Sequence, residues 1–477
     1  MRGLQGCRLF TLAVLVLVAA PTIAFAQFSA QYKFGTNNGD PCDATNSGIV
    51  AQGRDGNLYS TAPWCGAYGY GAVFKITPAG MLTVLYSFGG KNGDGLNPRG
   101  GLTLGTDGNF YGTTAYGGTN LYGTVFKITS TGKLTVLYNF SNGSDGGVPF
   151  AAPVQGVDGN FYGTTCQCDG QNGPGTIYKI TPSGKFTSLY QLDFWASSYP
   201  YAPLVQGIDG NFYGSAAYGG SGAGVIFKVT PTGKFSVLHT FDNTDGSSPE
   251  APLIQASDNN FYGTTCCGGS DDSGVIFRIS ATGNFSVVHN MNAATDGGGP
   301  FGGLVQSADG NFYGVNAGGG NSSNCMGGCG TIFKVSSQGN VSVLYNFDYT
   351  DGAYPYATML EHTNGIFYGD TWSGGISNSA CTQSGPDCGV FYSMRTGLRR
   401  FISLLPYEAK VGKTVEILGQ GFKGVSGVAF NGTPSKFNVV SDTYLTATVP
   451  TGATTGFVTV TTSRGSLKSN KKFRVTP

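Results

Sequence analysis

Six residues that could contact a ligand follow prolines placed at a fixed distance before a recurring motif. The motif is D-G-N-F-Y-G with small variations, and each proline stands nine residues before its first position. Aromatic faces can stack on a sugar or a peptide, and charged groups can orient it. The alternative is that these side chains only pack between repeats. The six positions are Arg99, Phe150, Tyr201, Glu250, Phe301 and Tyr356, and the first repeat has Ser47 there without the proline.

The tryptophans and several tyrosines lie in segments whose length varies between repeats. Large aromatic residues on one face of a protein indicate an interaction surface. The alternative is that they cover the loops beneath them. These residues are Trp64, Trp195, Trp372, Tyr68, Tyr116 and Tyr218.

Three carboxylates are candidates for acid–base catalysis. Glu361, His362 and Asp370 all occur in the last repeat, where they break the repeat pattern, and Glu250 is one of the six positions above. A strand-like run separates Asp370 from the other two residues, which argues against a shared site. The chain has no nucleophile motif, phosphate loop or cofactor fingerprint, so we expect no cofactor.

A repeat positions all of these residues. The motif tyrosines are spaced by 52, 51, 51, 49, 51 and 55 residues, by subtraction. A period near fifty with strand-like content is typical of β-propeller blades. The seven tyrosines are Tyr59, Tyr111, Tyr162, Tyr213, Tyr262, Tyr313 and Tyr368.

Each repeat contains four short strand-like runs, as a propeller blade does. The seventh repeat lacks a clean fourth run, whereas residues 28–34 match the fourth runs at 235–241 and 341–347. We expect this N-terminal piece to pair into the last blade and remove its exposed edge. The sequence therefore predicts an all-β fold, in which a seven-bladed β-propeller over 27–398 is closed by an N-terminal strand.

The connections between runs divide into two kinds. Those after the first and third runs are short and nearly constant in length, whereas those after the second and fourth runs vary. The two kinds lie on opposite faces of an up-and-down blade, here called the constant face and the variable face. We expect the variable face to bind the ligand, because loops on a rigid scaffold carry function.

The N-terminus has the pattern of a signal peptide over 1–26, with positive charge, an apolar run and a small-residue cleavage site. Ten cysteines remain after cleavage, and an even number in an exported chain predicts disulfides. We expect local pairs Cys42–Cys65, Cys325–Cys329 and Cys381–Cys388. Cys166 with Cys168, and Cys266 with Cys267, are open between a strained local bridge and bonds to neighbouring loops.

The motif aspartates recur at tight turns and are expected to be structural. Two other acidic loops, at 242–246 and 348–352, resemble part of a calcium loop but lack its final acidic ligand. Calcium is therefore a weak alternative, and we predict no metal site.

Charge and hydropathy exclude some partners. Charged residues make up 11% of the chain and the net charge is +1, with no basic patch of the kind that binds nucleic acid. No apolar run after the signal peptide is long enough to span a membrane.

The repeats resemble the GloVer tandem repeats of exported bacterial proteins over roughly residues 28–395, through D-G-N-F-Y-G-T-T and G-T-V-F-K-I-T. Departures are Asn259, Thr363 and Ser393. The resemblance implies no activity. Residues 399–477 resemble the immunoglobulin-like IPT/TIG β-sandwich, a spacer or interaction module, through Gly419, Gly421-Phe422, Phe430-Asn431-Gly432, Val449-Pro450 and Phe473, among others.

Together these features predict a secreted or cell-surface binding scaffold without catalysis, whose partner is a carbohydrate or a surface protein. One alternative is an extracellular propeller lyase or glycan-active enzyme. Another is a structural component of the envelope or matrix.

Overall fold

The computed structural model describes residues 26–42, 49–166, 175–193, 197–377, 381 and 387–477. Within these ranges the regular secondary structure consists of β-strands, and a single residue, Cys381, has a helical conformation. No helix in this part of the chain is long and apolar enough to cross a membrane. The predicted signal peptide lies outside the described residues, except for Ala26.

Each of the first six repeats forms one four-stranded antiparallel sheet whose strands follow chain order. The first strand of these sheets has only two residues, because the loop before it and the motif turn after it leave little extended chain. The sheets of repeats one to four are β3 (Ala51–Gln52), β4 (Leu58–Ala62), β6 (Ala72–Ile76) and β7 (Leu82–Ser87); β8 (Thr103–Leu104), β9 (Phe110–Thr114), β10 (Thr124–Ile128) and β11 (Leu134–Asn139); β12 (Val154–Gln155), β13 (Phe161–Thr165), β14 (Thr176–Ile180) and β15 (Phe186–Gln191); and β16 (Val205–Gln206), β17 (Phe212–Ala216), β18 (Val225–Val229) and β19 (Phe235–Thr240).

Repeats five and six follow the same plan, and repeat seven takes its fourth strand from the N-terminus. Strand β1 (Gln27–Lys33) pairs antiparallel with the third strand of the last repeat. The sheets are β20 (Ile254–Gln255), β21 (Phe261–Thr265), β22 (Val275–Ile279) and β23 (Phe285–Asn290); β24 (Val305–Gln306), β25 (Phe312–Asn316), β26 (Thr331–Val335) and β27 (Val341–Asn346); and β28 (Leu360–His362), β29 (Ile366–Asp370), β30 (Val390–Arg395) and β1.

The motif turn explains why its sequence is repeated. Asp209 accepts hydrogen bonds from the backbone N–H of Asn211 at 3.1 Å, from the Asn211 side chain at 2.7 Å and from the hydroxyl of Tyr213 at 2.7 Å. The same three bonds recur at Asp55, Asp107, Asp158, Asp258 and Asp309. The motif aspartates are therefore structural.

Two departures from the motif keep its geometry. Asn259 replaces the turn glycine and adopts its left-handed backbone, with φ of 67°, a region that asparagine tolerates better than most residues. Asn364 replaces the aspartate in the last repeat: its side-chain amide donates to the Tyr368 hydroxyl, and its oxygen accepts the N–H of Ile366.

The core lies between consecutive sheets. The first six motif tyrosines each pack on the motif phenylalanine of the next repeat, with ring centroids 3.7 to 4.5 Å apart. Such pairs contribute about 0.5–1.5 kcal/mol each beyond the area they bury. The pairs are Tyr59–Phe110, Tyr111–Phe161, Tyr162–Phe212, Tyr213–Phe261, Tyr262–Phe312 and Tyr313–Phe367.

The C-terminal unit is a β-sandwich with its own core, which includes Ile417, Phe430 and Phe473. Two four-stranded sheets and a parallel pair build it. In spatial order they are β31 (Ser403–Leu405), β33 (Thr414–Leu418), β37 (Tyr444–Thr448) and β36 (Phe437–Val439); β35 (Thr433–Ser435), β34 (Gly427–Phe430), β38 (Val458–Thr462) and β39 (Gly465–Lys468); and β32 (Glu408–Lys410) with β40 (Arg474–Thr476).

The C-terminal unit contacts the repeats through their constant face. Arg54, in the motif turn of repeat one, donates two hydrogen bonds to the carboxylate of Glu416, at 2.9 and 2.5 Å. Its backbone carbonyl accepts the hydroxyl of Thr443 at 2.7 Å. Gln420 reaches Thr363 in the last repeat at 3.3 Å. The variable face lies at the other end of the sheets.

Candidate functional site

A repeated loop on the variable face positions the six predicted ligand-contacting residues. The residue two places before each of them has a left-handed backbone, and the proline lies between. Only one of these residues is a glycine, and a left-handed non-glycine costs about 1–3 kcal/mol unless its surroundings hold it. The φ values are 54° at Asn97, 55° at Val148, 60° at Tyr199, 52° at Ser248, 65° at Gly299 and 55° at Tyr354.

Backbone hydrogen bonds hold this loop from two sides. The N–H of Val148 donates to the carbonyl of Tyr122 at 2.9 Å, and its carbonyl accepts the N–H of Cys166 at 3.2 Å. Ser248 makes the equivalent pair of bonds with Ala223 and Cys266, at 2.8 and 3.3 Å. The backbone position from which each post-proline side chain projects is therefore set by hydrogen bonds within the protein.

Four of the predicted residues form one arc of contacts. The guanidinium of Arg99 lies 4.9 Å from the ring centroid of Phe150 and 6.0 Å from that of Trp64. Phe150 meets Tyr201 edge to face, with centroids 5.4 Å apart. Cation–π contacts of this kind contribute about 0.5–2 kcal/mol, so Arg99 links a tryptophan of repeat one to the aromatic residue of repeat three.

Three further residues form a second arc. Phe301 and Tyr356 meet edge to face at 5.1 Å, and Tyr356 meets Trp372 at 6.0 Å. The side chains of both arcs are half-buried, so each ring leaves part of its surface open to solvent.

Glu250 lies between the two arcs. Burial raises its pKa to about 7. Burial raises the pKa of Tyr201 to about 12, and the charge of Glu250 adds to this effect. Burial also raises the pKa of Tyr356, and the charges of Tyr354 and Glu250 add to it. Glu250 occupies the same loop position in the repeat between those of Tyr201 and Phe301, and its charge acts on both Tyr201 and Tyr356. The two arcs and Glu250 are called here the aromatic ring site: Trp64, Arg99, Phe150, Tyr201, Glu250, Phe301, Tyr356 and Trp372.

Not every predicted contact residue can be placed. Trp195 and Ser47 lie outside the described residues. Tyr68 is 57% exposed and packs over Gly90 away from these contacts.

Two tyrosines extend the aromatic ring site beyond the prediction. Tyr199 lies 6.0 Å from Tyr201, and Tyr354 lies 6.0 Å from Trp372. Both stand directly before a repeat proline, and that position was the available signal in the sequence.

Comparison with known families identifies the repeats. The Gloeobacter/Verrucomicrobia repeat matches residues 20–169 and 150–382. The chain belongs to the Gloeobacter/Verrucomicrobia repeat family. An IPT/TIG domain matches residues 401–475 and corresponds to the C-terminal sandwich. Both resemblances seen in the sequence are confirmed.

Solved structures resemble this repeat protein only distantly. An extracellular domain assigned to a hybrid two-component system of Bacteroides thetaiotaomicron is 10% identical, with a TM-score of 0.48, over 93% of this chain and 57% of that one. Puromycin hydrolase is 12% identical, with a TM-score of 0.46, over 72% of this chain and 54% of that one. No curated protein matches the chain.

The other two candidate carboxylates, Glu361 and Asp370, belong to the sheet of repeat seven. Glu361 accepts a hydrogen bond from Ser307 at 2.8 Å, and burial raises its pKa to about 7. Glu361, on β28, pairs with Phe367 of β29 in the sheet. Asp370 lies three residues after Phe367 on β29, which is a distance of about 10 Å along the strand.

His362 is held at the constant face. It donates from Nε2 to the carbonyl of Gly56 at 3.0 Å and accepts the N–H of Asn364 at Nδ1. Burial lowers its pKa. Glu361, His362 and Asp370 therefore do not converge on one open site.

The acidic loops of the repeats use their carboxylates internally. Asp242 accepts the N–H and hydroxyl of Thr244 and the N–H of Asp245, while Asp245 contacts Nε2 of His239 at 2.9 Å. Tyr86 and Tyr138 make the same contact with Asp94 and Asp145. His239 thus takes the structural position of a tyrosine.

Three disulfides were predicted correctly: Cys42–Cys65, Cys325–Cys329 and Cys381–Cys388. The first joins β2 (Pro41–Cys42) to β5 (Trp64–Cys65), which form a small sheet that includes Trp64. Cys166 is disulfide-bonded, and Cys168 lies outside the described residues.

Cys266 and Cys267 differ from the expectation of disulfides. Both are free thiols, with sulfur atoms 2.8 Å apart. Adjacent residues have Cα atoms about 3.8 Å apart, below the usual disulfide span of about 4.4–6.8 Å, so a bridge between them has to overcome backbone strain.

Proposed function

We propose that this protein is an exported, non-catalytic scaffold that binds carbohydrate at the mouth of a closed seven-bladed propeller. The observation that carries the proposal is the aromatic ring site, six of whose eight residues are carried by the repeated left-handed loop. Aromatic faces with one cation and one carboxyl match a ligand that presents both apolar ring faces and hydroxyl groups. The disulfides support an oxidising, extracellular compartment.

Closure of the propeller over residues 27–398 is supported by contacts between its ends. Ile49 of repeat one bridges both Gly101 of repeat two and Thr358 of repeat seven. Gln52 exchanges two hydrogen bonds with Thr363 of repeat seven, at 2.8 and 3.0 Å. Repeat one therefore has neighbours on both sides, as every blade of a closed ring has.

Closure also determines where the ligand can enter. The residues after the repeat prolines lead into the first strands, which are innermost if β1 is an outermost strand. The IPT/TIG unit, residues 399–477, contacts repeats one and seven at the constant face, so the variable face remains open to a large ligand. An oligosaccharide or the end of a polysaccharide fits such a mouth.

Binding without catalysis is favoured over hydrolysis of a glycan. Most glycoside hydrolases use two carboxyl groups that flank the scissile bond. Glu250 is the one carboxyl group that the described part of the aromatic ring site contains, while Glu361 and Asp370 lie in the body of repeat seven. A raised pKa lets Glu250 remain protonated near neutral pH and donate a hydrogen bond to a ligand oxygen.

A thermal-shift screen tests this proposal. Residues 27–477 are screened against neutral and acidic oligosaccharides, with and without calcium, because a ligand that binds only the native state raises the melting temperature. We expect a dose-dependent rise that the double variant Tyr201→Ala/Tyr356→Ala loses.

The matched control is Tyr68→Ala, which removes an exposed tyrosine outside the aromatic ring site and should keep the shift. A shift that survives in the double variant would place binding elsewhere. Release of shorter sugars from any substrate, abolished by Glu250→Gln, would favour the enzyme. Self-association without a soluble ligand would favour the structural alternative.

A further inference from the structure

The adjacent thiols Cys266 and Cys267 border the aromatic ring site. Cys266 donates its N–H to the carbonyl of Ser248, two residues before Glu250, and is buried. Cys267 bridges Ser247 through two backbone hydrogen bonds, at 2.8 and 3.3 Å, and is partly exposed. One thiol is thus shielded while its neighbour is accessible, and both are attached to the loop that carries Glu250.

The distance between the sulfur atoms indicates which chemistry the pair suits. Two thiolates that share a tetrahedral zinc ion lie about 3.8 Å apart, given Zn–S bonds of about 2.3 Å. A disulfide bond is about 2.05 Å long. The observed separation of 2.8 Å is too short for a shared zinc ion and needs only a small movement to form the bond.

The two thiols differ in acidity in the order that exchange requires. The hydrogen bond from Cys266 to the sulfur of Cys267 raises the pKa of Cys266 and lowers that of Cys267. Glu250 raises the pKa of both thiols, and Asp272 raises that of Cys267. The accessible sulfur is therefore the better nucleophile, since the thiolate is the attacking form.

We propose that Cys266 and Cys267 form a reversible thiol–disulfide exchange site, which external disulfides oxidise to a vicinal disulfide. The Cys267 thiolate attacks one sulfur of the external disulfide and releases the other half as a thiolate. Cys266 loses its proton and attacks the sulfur of Cys267, releasing the second half. The protein dithiol loses two electrons and the external disulfide becomes two thiols.

Strain in the vicinal bridge makes the product easy to reduce. Strained or exposed disulfides have more oxidising potentials than structural ones and are the labile or regulatory kind. The exchange site is therefore reversible under conditions that leave Cys42–Cys65 and the other structural bridges intact. This inference does not depend on which ligand the aromatic ring site binds.

Glutathione disulfide is the probe, and intact-protein mass spectrometry is the measurement. After mild reduction and removal of the reductant, the folded protein should lose two hydrogen atoms on exposure to the probe and keep no adduct. Peptide mapping should place the change at residues 266–267. In Cys266→Ser the glutathione adduct should accumulate on Cys267, because no second thiol is present to release it.

The reciprocal variant tests the order of attack. Cys267→Ser should react at least tenfold more slowly, because its remaining thiol is buried. Wild-type protein that retains two alkylatable thiols after the probe would overturn the proposal. So would faster adduct formation in Cys267→Ser than in Cys266→Ser. If Cys266→Ser does not fold, the proposal is still tested by the loss of two hydrogen atoms, which should occur in wild type and be absent in Cys267→Ser.

Discussion

Phe28 stacks on Tyr345 with ring centroids 4.0 Å apart and planes 6° from parallel. Phe28 belongs to the N-terminal strand β1, and Tyr345 belongs to the fourth strand of repeat six. The same contact joins Tyr190 to Phe235 at 4.3 Å and 5°, between two consecutive interior repeats. The N-terminal strand thus makes the packing contact that an ordinary fourth strand makes with its neighbour.

Because the two contacts are equivalent, removal of the ring of Phe28 or of Phe235 should lower the stability by a similar amount. Phe28→Ala and Phe235→Ala should both lower the free energy of unfolding, by about 2–3 kcal/mol each, below the value of about 3–5 kcal/mol for a fully buried ring. Urea denaturation followed by circular dichroism measures both. A value near zero for Phe28→Ala beside a large value for Phe235→Ala would mean that the N-terminal strand frays and the propeller is open.

The ion pair Arg54–Glu416 predicts that the IPT/TIG domain is coupled to the repeats. Burial raises the pKa of Glu416, although Arg54 partly offsets the effect. Removing Arg54 leaves the carboxylate without its partner, so Arg54→Ala should cost more stability than the double variant Arg54→Ala/Glu416→Gln. We expect a coupling energy of about 1–3 kcal/mol for this bidentate, partly buried pair.

Thermal unfolding of the four proteins in this double-mutant cycle, at pH 7.5, measures the coupling. Arg474→Ala is a control, because it breaks an ion pair with Glu408 inside the IPT/TIG domain and does not touch the repeats. Additive effects of the two substitutions would show that the pair contributes nothing to domain coupling.

Asp370 predicts a stability that falls as the pH rises. Its carboxyl is fully buried, its Oδ1 atom has no hydrogen-bond partner, and burial raises its pKa to about 7. The folded state therefore binds this proton more tightly than the unfolded state, whose pKa is about 3.9. Folding stability decreases between about pH 4 and pH 7, and the full penalty is present above pH 7.

Asp370→Thr introduces the residue that repeats one, two, three and five carry at this position, at Thr61, Thr113, Thr164 and Thr264. The variant should be more stable than wild type by a few kcal/mol at pH 8, on the basis of about 1.4 kcal/mol per pKa unit. The difference should shrink to about 1 kcal/mol at pH 4.5. Melting temperatures across this pH range decide the point, and equal melting curves at pH 8 would contradict it.

Much of the fold was predictable because the repeat makes each local signal occur seven times. The hydrogen bond between Asp209 and Tyr213 recurs with the same geometry in six motif turns. Two of the predicted disulfides, Cys325–Cys329 and Cys381–Cys388, follow from short sequence separations of 4 and 7 residues. The IPT/TIG domain was predictable because its own motif residues occur in the sequence.

The contacts between repeats were not predictable from the sequence. Thr363 reads as an irregularity, yet it binds Gln52 and Gln420 where repeat seven meets repeat one and the IPT/TIG domain. Nothing in the sequence indicates that Arg54 pairs with Glu416, because the two residues come together only in the folded structure. The left-handed backbone at Val148 and Tyr199 was also hidden, because a β-branched or aromatic residue before proline predicts an extended conformation.

Fluorescence titration tests the central claim most directly, because Trp64 and Trp372, two of the three tryptophans, lie in the aromatic ring site. The oligosaccharide that gives the largest thermal shift is titrated into wild type, Tyr201→Ala/Tyr356→Ala and Tyr68→Ala. A saturable change in tryptophan emission in wild type and Tyr68→Ala, lost in the double variant, is the predicted result. Calorimetric binding of that sugar with equal affinity in all three proteins would contradict a carbohydrate site at the propeller mouth.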